Sequence, residues 1–454
     1  MTMRGMLPGL VMAALCGGAL TPHAQAESLR AALSSAYSSN PEISSERARL
    51  KATDEGVSKA RAGWRPKVIV NGSATLGVKK TTPMPGDSRN YDSESISITL
   101  SQPIFDGFKT GARVRGAKAA VRAGQQNLLA VEQKVLLDAA TAYMNVVRDR
   151  EIVRLRKRNI TVLREQLEAV RSRFSVGEVT RTDVSQARAA LAQARAAHAQ
   201  ARAALAASRA AYEKAVGQRP GRLVFPRRLP RLPRSLAAAL KRAERLNPQI
   251  LAAAWARAAA EHNIMATRGD LLPSLDLQAQ LSATRNNEEK SPVVKTRDAR
   301  IMATLKIPLY QGGFVHASVR EAKHNAEAAR LSVAVARRAV RQQVMAAWSN
   351  LTAARQVITS SRAAVDAARL AYNGVREEYK AGSRTTLDVL NARQTLLDAR
   401  VSLISARASE ITAAYALLAA IGELTAHRLR LSVAAYDAAA HYRAVKSKWI
   451  GTGD

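Results

Sequence analysis

The sequence predicts a chain of two tandem repeats, each of which carries two membrane-length β-strands followed by a long α-helical hairpin. Three observations support this fold class. Sequence segments recur in register about 200 residues apart, four runs alternate apolar and polar residues, and long stretches without proline carry apolar residues at helical spacing. Together they account for most of the 454 residues.

The repeat is clearest in two segments near the middle of each half. "RFSVGEVTRTDVSQAR" begins at residue 173 and "EYKAGSRTTLDVLNAR" begins at residue 378, an offset of 205 positions. The same offset pairs "PIFDG" with "PLYQG", and an offset of 207 pairs "SLRAALSSAYSSNP" with "SLAAALKRAERLNP". A period this long indicates an internal duplication, because solenoids have repeats of about 20–50 residues. We assign the two repeats to residues 27–218 and 235–422, a Pro/Arg-rich linker to 219–234 and a tail to 423–454.

The N-terminal segment has the pattern of a secretory signal. Arg4 precedes an apolar stretch, and Ala24-Gln25-Ala26 has the small-x-small pattern of a signal peptidase site, so residues 1–26 are expected to be removed. Cys16, the only cysteine, follows Leu15 and lies within this segment, which argues against a lipid anchor. The exported chain is therefore expected to have no disulfide and no free thiol.

Each repeat contains two runs in which apolar and polar side chains alternate. They cover "VIVNGSATLGV" and "ESISITLS" in the first repeat and residues 274–283 and 299–307 in the second. Each run is near the ~9–11 residues of a membrane-spanning strand, and the connecting segments 79–90 and 284–296 are polar and turn-forming. A half-buried soluble sheet would also alternate, and it stays open as the alternative for a single strand. Four matched strands, with no large apolar segment in the sequence to cover their apolar faces, favour burial of these faces in lipid.

Four strands are too few to close a membrane barrel, since the smallest known barrels have about eight. After residue 26, no apolar run approaches the ~20 residues of a membrane-crossing helix, so a membrane-spanning part is expected to be a barrel. Several chains must then pool their strands. A symmetric homo-oligomer satisfies this need.

A long helix follows each pair of strands. No proline lies between Pro103 and Pro220, and apolar residues at spacings of three, four and seven follow one helix face. Fifty helical residues would extend about 75 Å. Gly177 interrupts this pattern, and Thr182 or Asp183 is expected to cap the returning helix. Gly177 and its copy Gly382 therefore mark the turns of two helical hairpins.

Composition and motifs argue against two other classes of function. The formal charge of +34 is spread along Ala-rich helices, and only 4% of residues are aromatic, which favours solvated helix faces over a nucleic-acid site. No phosphate-binding loop, metal-ligand motif or nucleophile elbow occurs, so no enzyme activity, cofactor or metal is expected. A soluble periplasmic coiled-coil adaptor is the alternative from another class, although it should lack four membrane-length strands.

The whole predicted mature chain resembles the TolC family of trimeric outer-membrane channels. The residues that carry the resemblance are "PIFDG" and "PLYQG", the two hairpin-tip segments, and the repeat endings "AVG" and "AIG". The resemblance implies a homotrimer with a twelve-stranded membrane β-barrel, a long α-helical barrel across the periplasm, and an equatorial region. The linker and the tail are assigned to that region.

The resemblance also assigns a role to the hairpin tips, which form a periplasmic gate in TolC-like proteins. Gln166, Thr182 and Asp183 match positions that bond to Tyr379 and Arg384 of the second repeat. Asp388 matches the first acid of a ring at the pore constriction. Asn391 occupies the second ring position and departs from the doubly acidic pattern. The alternative is a purely structural role, in which Asp183 and Asp388 cap helices and Tyr379 packs against its neighbours.

The resemblance implies two protein partners, a periplasmic adaptor and an inner-membrane ABC transporter or other pump, together with outer-membrane lipid. It is closest to the type I secretion branch, which includes the exporter of the toxin cyclolysin. Multidrug efflux is the alternative within the family.

Overall fold

The structure, a computed structural model, describes residues 27–80, 88–226 and 228–453. The expected signal segment lies outside these residues. Each half has the order helix, helix, 3₁₀ turn, strand, strand, long helix, shorter helix. The first half comprises α1 (Leu29–Ser39), α2 (Pro41–Arg61), β1 (Lys67–Lys80), β2 (Ser88–Phe105), α3 (Lys109–Ser175) and α4 (Arg181–Val216). The second comprises α5 (Leu236–Leu246), α6 (Pro248–Arg268), β3 (Ser274–Glu288), β4 (Val294–Lys306), α7 (Phe314–Lys380) and α8 (Thr386–Ile421).

Each repeat begins with two helices that are separated by a break. The break falls at Asn40 and at Asn247, each of which precedes a proline and adopts an extended conformation. A residue before proline is excluded from helical geometry by its contact with the proline ring. The asparagine side chain then accepts a hydrogen bond from the backbone N–H of Glu42 or Gln249 and caps the next helix.

The four strands form one antiparallel sheet in the order β1-β2-β3-β4, so the two repeats pair through β2 and β3. The strands have 13 to 18 residues and extend beyond the alternating segments. The polar segment 284–296 was expected to be a connection, yet β3 continues through Glu288. Cross-strand pairs such as Arg285–Glu94 and Asn287–Asp92 replace the apolar alternation there. Residues 81–87 of the other expected connection lie outside the described part of the chain.

The two faces of the sheet differ in polarity. One face, here called the outer face, carries large apolar side chains with exposed fractions of 38–86%. Its members are Val68, Val70, Leu76, Val78, Ile96, Ile98, Leu100, Leu277, Leu281, Ile301 and Leu305. The opposite face is mainly polar, and Ser73 bonds Ser95 while Arg300 donates to Gln280. In the part of the chain that the structure describes, these apolar side chains of the outer face remain exposed.

The helical hairpins are longer than the sequence estimate. α3 and α7 each have 67 residues, about 100 Å at 1.5 Å per residue, and α4 and α8 each have 36. The first part of α3 therefore extends beyond α4 and packs against α2 and α6. Its later part packs against α4 and α8. The wall has the helix order α2-α3-α6-α7 near the sheet and α4-α3-α8-α7 near the hairpin turns.

The largest buried cluster lies between these two parts of the wall, where α1, α3, α4 and α8 pack together. Tyr143 and Tyr212 are fully buried there, and both hydroxyls are bonded to Glu27 at the start of the described chain. Tyr143 also binds Val224, which holds the linker against α3. Gly422 ends α8 at this level, and a Cβ on it would lie 2.5 Å from the Leu246 carbonyl oxygen. Only glycine permits this close approach.

The C-terminal tail begins at this equatorial level but does not remain there. Two short helices, α9 (Ala426–Leu429) and α10 (Ala440–Val445), lead it along α2 towards the sheet. Ser58 donates to the Val445 carbonyl at 2.6 Å, and Arg65 donates to the Lys448 carbonyl at 2.7 Å. The tail was assigned to the equatorial region, and its last residues instead lie beside the end of α2.

α8 is long and apolar enough to cross a bilayer, with a mean hydropathy of 1.2 over its most apolar window. The sequence analysis predicted no membrane-crossing helix after residue 26. Its apolar residues Leu417, Leu418 and Ile421 are buried in the wall. The helix packs against α7 and α3, and 39% of the window is buried within a single chain.

Candidate functional site

The turns of the two helical hairpins lie at the end of the molecule opposite the sheet. Gly177 and Gly382 occupy these turns with φ of 82° and 83°. Each turn is closed by a backbone bond that spans five residues, from Glu178 to Arg173 and from Ser383 to Glu378. No heavy atom lies within 4 Å of a Cβ at either glycine. Backbone conformation, and not crowding, is therefore the reason for glycine here.

The helix that returns from each turn begins with a capping box. Thr180 and Thr385 are the caps, and each exchanges hydrogen bonds with the aspartate three residues later, Asp183 or Asp388. The expected cap at Thr182 is wrong, because α4 begins at Arg181 and Thr182 is already inside the helix with an exposed side chain.

The capping bonds set the charge of these carboxyl groups. Hydrogen bonds from the side chain and backbone of Thr180 hold the pKa of Asp183 below its usual value. The backbone and hydroxyl of Thr385 do the same for the pKa of Asp388, with a smaller effect of Arg384. Both aspartates are therefore ionised at neutral pH.

Thr386 joins the two tips within one chain. It is 2% exposed, its hydroxyl lies 3.4 Å from the Tyr379 hydroxyl, and it helps to lower the pKa of Asp183 in the other hairpin. The Arg173 guanidinium stacks over the Tyr379 ring at 5.1 Å. The tips thus meet around Asp183, Thr386 and Tyr379, and Thr386 was not foreseen because its counterpart in the first repeat is an arginine, Arg181.

Arg384 is bonded within its own hairpin. Its Nε donates to Glu378 at 2.8 Å, and this carboxylate raises the pKa of the guanidinium. Among the described residues, no hydrogen bond or ion pair joins Arg384 to Thr182 or Asp183, and Gln166 is half-buried on α3. A bond from Arg384 to the first hairpin would therefore have to be made to another chain or after release of Glu378.

The two residues of the expected constriction differ in setting. Asp388 is half-buried beside its cap, whereas Asn391 is exposed and lines a cleft of about 420 Å³ between the hairpins. Asn159, Gln186 and Gln394 also line this cleft, while Asp388 does not. The carboxylate and the amide are three residues apart and so are neighbours on one face of α8, but only the amide lines the cleft.

A polar contact between the hairpins lies further along α8. Arg393 donates to the buried Asn159 of α3 at 2.8 Å and to Tyr372 of α7 at 3.2 Å. One side chain therefore ties together three helices of the wall. Its repeat counterpart is Arg188, so the repeat alone could not single out Arg393.

The chemistry available at the tips is that of weak polar contacts. Each wet contact contributes only about 0–1 kcal/mol, so a few of them can be exchanged when a partner binds. Among residues 27–80, 88–226 and 228–453, no group of three or more histidine, cysteine, aspartate or glutamate side chains could hold a metal ion.

Comparison with known proteins gives one consistent family. The family model "Outer membrane efflux protein" matches residues 32–218 and again 239–423. The chain is 40% identical to outer membrane efflux protein BepC of Brucella suis, over 96% of this chain and 94% of that protein. It is 28% identical to outer membrane protein TolC of Escherichia coli, over 87% and 81%. Identity to alkaline protease secretion protein AprF of Pseudomonas aeruginosa is 26%, over 74% and 72%.

Solved structures agree on the fold. The Campylobacter jejuni CmeC outer membrane channel superimposes with a TM-score of 0.79 at 17% identity, over 92% of this chain and 89% of that one. The chain therefore has the TolC-like channel fold. It belongs to the outer membrane efflux protein family, and it is an outer-membrane protein that extends into the periplasm.

Proposed function

We propose that three copies of this chain form the outer-membrane exit duct of a tripartite export machine. Their twelve strands close a β-barrel, and their hairpins form a tunnel across the periplasm. The sheet order leaves β1 and β4 each with one unpaired edge, which three copies joined in a ring would satisfy. The TolC family consists of trimeric channels, which supports this assembly.

The observation that carries the proposal is apolar surface that a single chain leaves uncovered. Besides the outer face of the sheet, α7 has two apolar stripes. One stripe, with Val333, Val340 and Val344, is buried within the chain. The other lies on the opposite side of the helix and includes Leu331, Val335 and Leu370, with exposed fractions of 54%, 66% and 77%. A second copy packed against this stripe would continue the wall.

Partners supply the driving force in this proposal, because the sequence contains neither a phosphate-binding loop nor a nucleophile elbow. An inner-membrane ABC transporter or other pump and a periplasmic adaptor would load cargo at the hairpin tips. A type I secreted protein is one candidate cargo, supported by the similarity to AprF. Small toxic molecules are the second candidate. The higher identity to the efflux protein BepC favours them over a cyclolysin-like toxin.

The tips serve as the gate in this proposal. Gln166, Thr182 and Asp183 bond across neighbouring coils to Tyr379 and Arg384, and Asp388 lines the constriction. The shared contact of Asp183 and Tyr379 with Thr386 supports their place at one junction. With Asn391 in the second ring position, three chains would carry three ring charges in place of six.

Conductance in a planar bilayer tests the duct and its gate together. Purified wild-type protein should give small currents, and Arg384→Ser with Tyr379→Phe should raise them several-fold by weakening the gate. Lys446→Ser, which lies in the tail far from the tips, is the control and should leave the current unchanged. Currents that are absent from both the wild type and the gate variant would contradict the duct.

Cargo is tested in cells that lack the gene for this chain. Restored resistance to detergents and dyes would support efflux, and restored appearance of a secreted protein in the medium would support secretion. Restoration of neither by a correctly localised protein would contradict both cargo classes.

A further inference from the structure

The outer face of the sheet ends in a cluster of cations at the end furthest from the helices. The register places Arg285 of β3 directly opposite Lys295 of β4 on this face. Arg297 lies two residues from Lys295 along the same face, opposite Ala283. Because same-face neighbours on a strand are about 7 Å apart, the three cations form one cluster.

This cluster is costly without a bound anion. Like charges directly opposite on neighbouring strands destabilise a sheet. Glu94, on the other side of Arg285, offers one carboxylate at 3.7 Å. Asp92 lies one row further out, where it accepts a hydrogen bond from Asn287 at 2.6 Å. Within the described ranges, neither Lys295 nor Arg297 forms an ion pair, and both are exposed.

The position of the cluster along the bilayer normal indicates which kind of anion it would bind. On β3 and β4 the apolar band runs from the row of Leu275 and Leu305 to the row of Ala283, eight residues along β3, whereas on β1 it continues to Val78. The span on β3 is about 27 Å along the strand, or about 21 Å of bilayer at a tilt of about 40°. Arg297 lies in the last row of this band, and Arg285 and Lys295 lie in the next. The cations are thus at the level of lipid headgroups.

The end of the sheet at which the cluster lies indicates which leaflet of the membrane it faces. α3 and α7 leave the other end of the sheet and extend into the periplasm, so the strand-connecting loops and the cation cluster face the outer leaflet. We propose that Arg285, Lys295 and Arg297 bind the phosphate groups of outer-leaflet lipid, of the lipid A type. The site rests on the outer-membrane location of the sheet and is independent of which cargo the channel carries.

Binding of defined lipids to the purified full-length assembly tests this site. The probes are bisphosphorylated lipid A, its dephosphorylated form and inorganic phosphate, with the thermal unfolding midpoint as the readout. Bisphosphorylated lipid A should raise the midpoint, and the other two probes should raise it only at 10-fold or higher concentration. The double variant Lys295→Gln/Arg297→Gln should need at least 10-fold more lipid A than the wild type.

Two control variants make the result specific. Arg300→Gln removes a cation of the same strand from the opposite, polar face and should behave as wild type. Lys295→Arg/Arg297→Lys keeps both charges and should also retain binding. An unchanged lipid response in the double glutamine variant, an equal loss in Arg300→Gln, or equal stabilisation by dephosphorylated lipid or inorganic phosphate would overturn the site.

Discussion

At the scale of single residues, a buried acid holds the tail to the wall, and half-buried acids cap the helices at the tips. Glu132 of α3 is 8% exposed, and its carboxylate accepts the backbone N–H of Ala426 at 2.7 Å. Burial raises the pKa of Glu132 above the ordinary glutamate value of 4.5. The folded protein therefore loses stability as pH rises from 4.5 through the raised pKa, because the buried carboxyl group must then ionise. The carboxylate oxygen therefore stabilises the tail as a hydrogen-bond acceptor, whereas its buried charge costs stability.

Two substitutions at Glu132 should separate these effects. Glu132→Gln keeps an oxygen for the Ala426 N–H and should leave the free energy of unfolding unchanged or slightly higher at pH 7. Glu132→Ala leaves that N–H buried and unbonded, which should cost about 1–3 kcal/mol. Denaturant titration of the detergent-solubilised protein measures both, and equal losses would contradict this role.

The tips should respond to acid in the opposite direction. The hydrogen bonds of Thr385 lower the pKa of Asp388, so its stabilising effect is complete above the ordinary value of 3.8 and is lost as pH falls through the lower folded value. Asp388→Asn should therefore increase amide exchange at the start of α8 at pH 6, with the difference shrinking below pH 3.8. A difference that does not depend on pH would contradict the cap.

At the scale of elements, the sequence predicted which segments are helices or strands better than it predicted where they begin and end. Proline-free stretches with helical spacing indicated the long hairpins, and alternation indicated the four strands, because a single period dominates each stretch. The ends were missed where that period fades. The strands continue through polar pairs such as Asn287–Asp92, and the first helix breaks at Asn40 because of the following proline.

The candidate site was less predictable than the elements that carry it. The repeat indicated both glycine turns and both aspartates. Thr386 escaped notice because its role depends on how two hairpins about 200 residues apart in sequence approach each other, and such a contact has no local signal. Glu378 binds Arg384 across the turn of a single hairpin, and the repeat pattern does not indicate that pair.

The turn glycine and a helix glycine of α7 should respond to alanine with opposite signs. Gly382→Ala places a side chain at φ 83° and should cost about 1–2 kcal/mol, although no atom would clash. Gly374→Ala, inside α7 and equally open, should stabilise the hairpin by about 0.5–1 kcal/mol. Thermal unfolding measures both, and a loss at Gly374 as large as that at Gly382 would show that packing controls these sites.

At the scale of the whole molecule, uncovered apolar surface is the dominant feature. The outer face of the sheet requires lipid, and the exposed stripe of α7 requires another helix. Neither surface is explained by the contacts of one chain. Outer-membrane insertion with assembly of three chains would cover both.

A charge in the exposed stripe of α7 should prevent assembly while leaving the chain folded. Val335→Asp would bury a carboxylate in the interface with the next copy, and the protein should become monomeric on size exclusion in detergent. Val176→Asp makes the same change in the hairpin turn, where Val176 is 70% exposed, and should not alter the assembly. An intact oligomer in Val335→Asp would remove this stripe from the interface.

The number of chains per particle tests the central claim most directly. Native mass spectrometry of the detergent-extracted wild-type protein should give a single species with three copies of the chain. A stable single copy, with its apolar sheet face and α7 stripe uncovered, would contradict the account.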